Sequence, residues 1–231
     1  MADLLKSTVK ITRSQETADA LISLILSRNM KAGDRLPNEQ TLCEALNIGR
    51  GTLREAVKQL SSRNILEVHQ GSGTYVSDKR GIPSDPLGVT FLKNNKKLAL
   101  DLIEARLALE PQIAMLAAEN ATEEDIAHMI ELRDLHKEAI YSGGNYQDVD
   151  TQFHAYVAQC SGNAIFTNLV PIIASSVQVS TTIVDMEYRK ISARCHHLIT
   201  ECIARHDGLG AYNAMLTHLN VSREYFISKE D

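Results

Sequence analysis

The sequence predicts a mainly α-helical protein with two domains joined by a short linker. Its 231 residues exceed the length of a typical single domain, so two domains are expected. Runs of β-prone residues occur only between residues 65 and 76, and apolar residues recur at helical spacing through most of the remaining chain. Glycine and proline punctuate residues 78–87, which we predict to be a linker between a domain of residues 1–77 and a domain of residues 88–231.

The N-terminal domain is predicted to contain three helices followed by a β-hairpin. Residues 12–14 offer caps for a first helix that ends near Asn29, Asn38 can cap the second, and Gly49 precedes the third. Two β-prone runs then surround a Gly-Ser-Gly tip at residues 71–73. The order of helix, short turn, helix and hairpin is that of a winged helix-turn-helix domain, in which the second helix of the motif enters a DNA groove.

The C-terminal domain is predicted to be an all-α helical bundle. Apolar residues recur at helical spacing in six segments separated by short polar or glycine-containing breaks. The Thr-Glu-Glu-Asp sequence from Thr122 resembles a capping box at the start of the second segment. The six segments cover approximately residues 98–117, 122–140, 147–160, 166–186, 188–205 and 211–226.

The charge distribution separates the two halves of the chain. A net charge of −5 argues against nucleic-acid binding when it is taken alone. Residues 1–80, however, carry a net charge of +3, whereas residues 81–231 carry −8. This asymmetry is compatible with a DNA-binding N-terminal domain and an acidic C-terminal domain.

Cysteine usage and hydropathy indicate where the protein works. The four cysteines show no C-x-x-C spacing, which favours a reducing, cytosolic compartment. The chain does not begin with the pattern of a signal peptide. No apolar run approaches the roughly 18–20 residues that span a bilayer. We therefore expect a cytoplasmic protein with no membrane partner.

Histidines in the C-terminal half suggest a metal site. Asp150 and His154 are four residues apart on one predicted helix, and His196 and His218 come from two later helices that can converge in a bundle. One carboxylate and three imidazoles suit Zn²⁺, Ni²⁺, Mn²⁺ or Fe²⁺. Spacing alone is a weak signal, because most such pairs are surface neighbours. His197 is a weaker candidate, and the others match no pattern and are interpreted as ordinary side chains: His128, His136 and His206.

The motifs together resemble the GntR superfamily of bacterial transcription regulators. In the N-terminal half the resemblance rests on the Leu36-Pro37-x-Glu39 segment, the run from Ile48 to Ala56 and the Gly71-x-Gly73-Thr74-x-Val76 hairpin. The helical half resembles the ligand-binding (FCD-type) domain of the FadR subfamily. The residues that carry this second resemblance are Arg106-x-x-x-Glu110, Asp150-x-x-Phe153-His154, Ser161-Gly162-Asn163, His196, Asp207 and Met215-x-x-His218.

The resemblance implies which residues contact DNA. Arginine can donate two hydrogen bonds to guanine in the major groove, and Arg50 and Arg54 are one helical turn apart. Gln40 stands where relatives often have arginine, and Gly51 where they often have a larger residue, so operator sequence is expected to differ. Two alternatives stay open: Arg50 as a capping charge, and an ion pair between Arg54 and Glu55. The full expected set is Arg35, Gln40, Arg50, Gly51, Thr52, Arg54, Gln70 and Gly71.

The same resemblance implies one divalent transition metal ion per chain, held by the four ligands named above, and a carboxylate effector bound beside it. Arg106 and Asn163 are the expected effector-binding residues. Arg106 offers a forked contact to a carboxylate, although an ion pair with Glu110, four residues on, is the alternative.

The predicted function is a homodimeric, sequence-specific DNA-binding regulator, with repression favoured, that binds a palindromic operator in double-stranded DNA. Its effector is expected to be a small organic acid, such as a sugar acid, a hydroxy acid or a dicarboxylate. Two alternatives remain. One is a regulator that senses the metal itself, and the other, less favoured, is a metal-dependent hydrolytic enzyme.

Overall fold

A computed structural model shows two compact units, Met1–Pro86 and Leu87–Asp231. The structure describes residues 12–79, 81–83, 85–89, 92, 96–180 and 184–228, without the side chains of residues 177–180. The predicted linker of residues 78–87 includes residues 80 and 84, which lie outside this described part.

The N-terminal unit contains the three predicted helices. They are α1 (Arg13–Ser27), α2 (Glu39–Leu46) and α3 (Arg50–Ser62). The caps follow the sequence prediction: Thr12 accepts a hydrogen bond from the backbone of Gln15, and Asn38 accepts one from the backbone of Thr41. The helices bury a small apolar core of Ala18, Leu21, Leu36, Leu42, Leu53, Ala56, Leu60 and Leu66.

The hairpin after α3 consists of β1 (Leu66–His69) and β2 (Gly73–Val76). The two strands are antiparallel, with Leu66 opposite Val76 and His69 opposite Gly73. Arg35, from the segment before α2, makes an isolated bridge with Tyr75 and so attaches the hairpin to the rest of the unit. The winged helix-turn-helix architecture predicted from the sequence is confirmed.

The C-terminal unit is all-helical in its described residues, and the six predicted helices are confirmed. They are α4 (Lys96–Asn120), α5 (Glu123–Ser142), α6 (Tyr146–Cys160), α7 (Ala164–Ser180), α8 (Met186–Ala204) and α9 (Gly208–Ser228). The predicted extension of the fourth segment to Met186 is wrong at its end. The side chain of Asp185 caps α8 by accepting a hydrogen bond from the backbone of Tyr188, which fixes extended backbone at that position. Residues 181–183 lie outside the described part.

Helix α4 is the centre of this bundle and packs against α6, α7, α8 and α9. It continues through the buried Pro111. Because α4 is surrounded by other helices, polar side chains on its inner face are withdrawn from water. The core around it includes Ile113, Ala117, Phe153, Val157, Ile199, Ile203, Met215 and Leu219.

Within the part of the chain that the structure describes, no helix combines the length and the apolar character needed to cross a lipid bilayer.

Candidate metal centre and DNA-binding face

Four side chains predicted to bind a metal converge inside the C-terminal unit. Asp150 and His154 lie on α6, His196 on α8 and His218 on α9. Each residue offers one ligand atom, and the four atoms all lie within 4.8 Å of one another. The three histidines are buried, whereas Asp150 keeps 25% of its side chain exposed. The sequence therefore identified residues that the fold brings together.

The distances between these atoms suit a bound ion. The Nε2 atoms of His154 and His218 are 3.2 Å apart, and Nε2 of His196 is 3.3 Å from Oδ1 of Asp150. Atoms held about 2.1 Å from one ion are roughly 3.0–3.4 Å apart at angles between octahedral and tetrahedral values. Three imidazoles and one carboxylate are also ligands that divalent transition metals accept. The residues thus fit the group that the sequence predicted.

A buried carboxylate supports the centre from behind. Oε2 of Glu110 on α4 lies 2.7 Å from Nδ1 of His154. The negative charge of Glu110 favours a proton on Nδ1 and leaves Nε2 with the lone pair that a metal needs. Arg106 in turn donates from Nε to Oε1 of Glu110 at 2.7 Å. The ion pair that the sequence left as an alternative for Arg106 is therefore present.

The surroundings favour the ionised forms of Glu110 and Asp150 and the neutral forms of His196 and His218. Burial raises the pKa of Glu110, but the Arg106 guanidinium and the His154 imidazole outweigh it and lower the pKa to about 2. Burial also opposes ionisation of Asp150, but its contact with His196 and the nearby imidazoles hold its pKa well below the ordinary value. Burial lowers the pKa of His196 to about 3 and that of His218 well below its usual range. Ionised carboxylates and neutral imidazoles are the forms that bind metal ions.

His136 also belongs to this region, although the sequence did not predict it as a site residue. It lies on α5, is fully buried, and places Nε2 3.6 Å from Oδ1 of Asp150. Its ring centroid is 4.4 Å from that of His196. Burial lowers the pKa of His136, although the charge of Asp150 opposes the shift. A signal was present in the sequence, because Leu132 and Ile140 stand four residues before and after it on the buried face of the helix.

A small cavity of about 50 Å³ adjoins the centre on the side of Asp150. Arg106 also reaches its wall, so this side chain faces both Glu110 and the cavity. The other polar residues of the lining are Tyr146, Gln147, Tyr188, Ser192 and Ser222, and its apolar residues are Ile103, Ala174, Val184 and Phe226.

The other candidates of the helical domain lie away from this cavity. Asn163 is exposed, and its Oδ1 accepts a hydrogen bond from the backbone of Ile165 at the start of α7. Asn163 follows His154 by nine residues and lies just past the C-terminal end of α6, away from the cavity. The fold therefore gives Asn163 a capping role. His197 is exposed, and Nδ1 of His206 contacts the backbone carbonyl of Ala118.

Several of the predicted DNA contacts line one groove of the N-terminal unit. Arg50 begins α3, and Gly51 and Arg54 are exposed beside it, whereas Thr52 is half-buried. A groove of about 670 Å³ lies between the helix-turn-helix and the hairpin. Its lining includes Arg35, Arg54, Lys58, Gln70 and Gly71.

Glu39 at the start of α2 orients one of these arginines. Arg54 donates from Nε to Oε1 and from Nη2 to Oε2 of Glu39, both at 3.1 Å. The partner of Arg54 is therefore Glu39 and not the neighbouring Glu55, because adjacent residues on a helix point about 100° apart. Gln40 donates to Glu44 at 3.0 Å on the exposed surface of α2.

The side chain of Arg35 lies close to Gly73 of the hairpin. Gly73 has a φ of +139°, and a Cβ atom added there would lie 2.8 Å from Nε of Arg35. A side chain at position 73 would therefore make the end of the Arg35 side chain shift, and the positive φ would strain its own backbone. The tip of the hairpin is also formed by glycine, since Gly71 has a φ of +76°.

A winged helix-turn-helix with an arginine-bearing second helix, linked in one chain to a helical domain with a candidate metal site, is the architecture of a DNA-binding transcription regulator. Comparison with known proteins agrees. Residues 13–76 match the gntR family of bacterial regulatory proteins, and residues 101–221 match the FCD domain family. The chain therefore belongs to the GntR family, in the group whose members carry an FCD ligand-binding domain.

Individual relatives cover almost the whole chain. The Uxu operon transcriptional regulator of Escherichia coli K12 is 30% identical over 228 residues, which are 93% of this chain and 87% of the relative. The repressor NanR of E. coli is 26% identical, over 90% of this chain and 81% of its own. The solved structure of GntR from Streptococcus agalactiae is 39% identical, with a TM-score of 0.83, over 91% of this chain and 99% of that one. These relatives are regulators, and this chain is not an enzyme.

Proposed function

We propose that this protein is a homodimeric repressor whose operator affinity is controlled by a small organic acid bound at a metal ion. The ion would be held by Asp150, His154, His196 and His218. The observation that carries the proposal is the convergence of their four ligand atoms within 4.8 Å, directly beside a polar cavity.

The ion, when bound, supplies a Lewis-acidic position that attracts a carboxylate. Four protein ligands leave one or two positions on a five- or six-coordinate ion, and Asp150 belongs both to the ligand set and to the cavity wall. Arg106 supplies positive charge, and the hydroxyl groups of Tyr188 and Ser192 can bind an oxygen of the effector.

The cavity of about 50 Å³ is lined by both polar and apolar side chains. The effector in this proposal is a small organic acid, of the sugar-acid, hydroxy-acid or dicarboxylate class.

The route from effector to DNA follows from the helices that the site joins. An acid bound there would contact residues of α4, α6, α8 and α9 together. A ligand that binds one arrangement of these helices more tightly shifts the population toward it. In a two-fold dimer such a shift changes the spacing of two DNA-binding domains, which a palindromic operator requires to be fixed. The name of NanR as a repressor supports repression as the direction of control.

Metal analysis and operator binding test the proposal together. Protein purified without chelators is expected to contain about one divalent transition metal ion per chain by elemental analysis. In gel-shift titrations, one of a panel of sugar acids, hydroxy acids and dicarboxylates is expected to release the operator. His196→Ala should lose both properties, whereas His197→Ala, which changes its exposed neighbour, should keep both.

Three results would contradict parts of the proposal. Absence of metal, together with a wild-type acid response in folded His196→Ala, would remove the metal site. An operator affinity that follows the concentration of free metal without any acid would make the ion the signal. If the acid tightens operator binding, it acts as a co-repressor and does not relieve repression.

A further inference from the structure

An additional imidazole lies beside the candidate metal centre without an evident structural use. His136 is 0% exposed, and neither of its ring nitrogens has a hydrogen-bond partner among the described residues. A buried polar group without a partner costs about 1–3 kcal/mol. Since Leu132 and Ile140 occupy the same face of α5, an apolar side chain at position 136 would avoid this cost.

His136 lies next to the four candidate ligands but is not one of them. The four ligand atoms that lie within 4.8 Å of one another do not include an atom of His136. Its Nε2 instead points toward the carboxylate, 3.6 Å from Oδ1 of Asp150. Its ring also contacts His196, with the ring planes inclined by 34°. His136 thus contacts two of the four ligand residues from outside.

Once His196 binds the metal ion, Asp150 needs another hydrogen-bond donor. In the structure Oδ1 lies 3.3 Å from Nε2 of His196. A nitrogen that gives its lone pair to a metal ion carries no proton to donate, so His196 in that state cannot hydrogen-bond Asp150 through the same atom. The distance of 3.6 Å from His136 is slightly outside hydrogen-bond range, and a side-chain adjustment of a few tenths of an ångström closes it.

We propose that His136 is a positioning residue that donates from Nε2 to Oδ1 of Asp150, leaves Oδ2 for the ion, and holds the ring of His196 in place. This inference rests on the proposed metal site. It assigns the site a supporting residue on α5, in addition to the ligands on α6, α8 and α9. Loss of an outer partner of this kind lowers metal affinity by about 10–100-fold.

Zn²⁺ affinity of the full chain, measured by competition with a chromophoric chelator, tests the inference. His136→Leu removes the donor and keeps an apolar volume, so Zn²⁺ affinity is expected to fall about 10–100-fold. Glutamine places an amide donor near the position of Nε2, so His136→Gln should recover most of the affinity. His128→Leu is the matched control, because His128 lies on the same helix with 48% of its side chain exposed.

Thermal unfolding of the chelator-treated proteins separates positioning from simple structural damage. His136→Leu should melt at or above the wild-type temperature, because it removes a buried unpaired group. A lower melting temperature that accounts for the lost affinity would overturn the inference. A Zn²⁺ affinity of His136→Leu equal to that of the wild type would also overturn it. So would a Zn²⁺ affinity of His136→Gln no higher than that of His136→Leu.

The same titration distinguishes this inference from the proposed site itself. Tight Zn²⁺ binding by the wild type that is lost in His154→Ala supports the four-ligand centre, and the two His136 variants then decide the role of His136. A wild-type chain that binds no Zn²⁺ would overturn the centre and the positioning role together.

Discussion

Removing the positive charge of Arg106 should destabilise the helical domain strongly. The Arg106 and Glu110 side chains are 6% and 3% exposed, and their closest atoms are 2.7 Å apart. With a pKa of about 2, Glu110 is ionised at neutral pH. Arg106→Met keeps much of the side-chain volume but leaves this carboxylate buried with only His154 beside it.

The expected size of the effect follows from that burial. Breaking a buried ion pair by deleting one partner costs about 3–5 kcal/mol, because the remaining charge has lost its solvation and its partner. A domain of this size loses about 2–4 °C in melting temperature per kcal/mol. Arg106→Met should therefore lower the Tm of the helical domain by about 12 °C, taking about 4 kcal/mol and 3 °C per kcal/mol.

Circular dichroism on chelator-treated protein measures this effect without a contribution from bound metal. The double variant Arg106→Met/Glu110→Leu removes both charges and should return to within about 2 kcal/mol of the wild type, since a well-packed apolar pair replaces a buried ion pair at little cost. Two results would refute the claim that Glu110 is shielded from water and paired with Arg106. One is a Tm loss below about 3 °C in Arg106→Met, and the other is a double variant as unstable as the single one. If the double variant is stable, its acid response in gel-shift assays reports on Arg106 and Glu110 together, because Glu110 also contacts His154.

Three further predictions concern DNA, metal and pH. Arg50→Ala should lower operator affinity by about 1–3 kcal/mol per DNA-binding domain and leave the Tm unchanged; an equal loss on random DNA would contradict base recognition. Chelation of metal present at about 1,000 times its Kd should remove about 4 kcal/mol and lower the Tm by about 12 °C, with no change in His196→Ala; an unchanged wild-type Tm would contradict a bound ion. Asp125→Ala should cost about 1 kcal/mol at pH 7, because Asp125 forms the capping box with Thr122. Hydrogen bonds from Thr122 lower the pKa of Asp125, so this stabilisation belongs to the charged form and should fade as the pH falls below the ordinary value of 3.8; a constant difference in urea unfolding between pH 7 and pH 3 would refute it.

Local signals explain why most of the fold was predictable. Helical periodicity and side chains that cap helix ends act within a few residues, so Asn38 and Thr122 mark helix starts in the sequence as they do in the structure. The end of α7 was misplaced because apolar spacing continues across residues 181–186. The capping aspartate at position 185 was a readable sign of a new helix.

The candidate site was predictable where its residues share a helix or a known pattern. Asp150 and His154 are four residues apart on α6, and the resemblance supplied the two distant histidines. The approach of His136 to Asp150 depends on how α5 packs against α6 and α8, which no local pattern encodes. The partner of Arg54 was missed for the same reason, since Glu39 precedes it by 15 residues and belongs to another helix.

The exposed pair of Glu39 and Arg54 has a consequence for the ionic-strength dependence of DNA binding. A protein that neutralises phosphates releases condensed counterions, and log K falls with log salt by about 0.9 per phosphate contact. Glu39 already balances the charge of Arg54 before DNA arrives. Arg54 should therefore add orientation to the interface but little to counterion release, and Glu39→Gln should steepen the salt dependence of operator binding by up to about one phosphate contact.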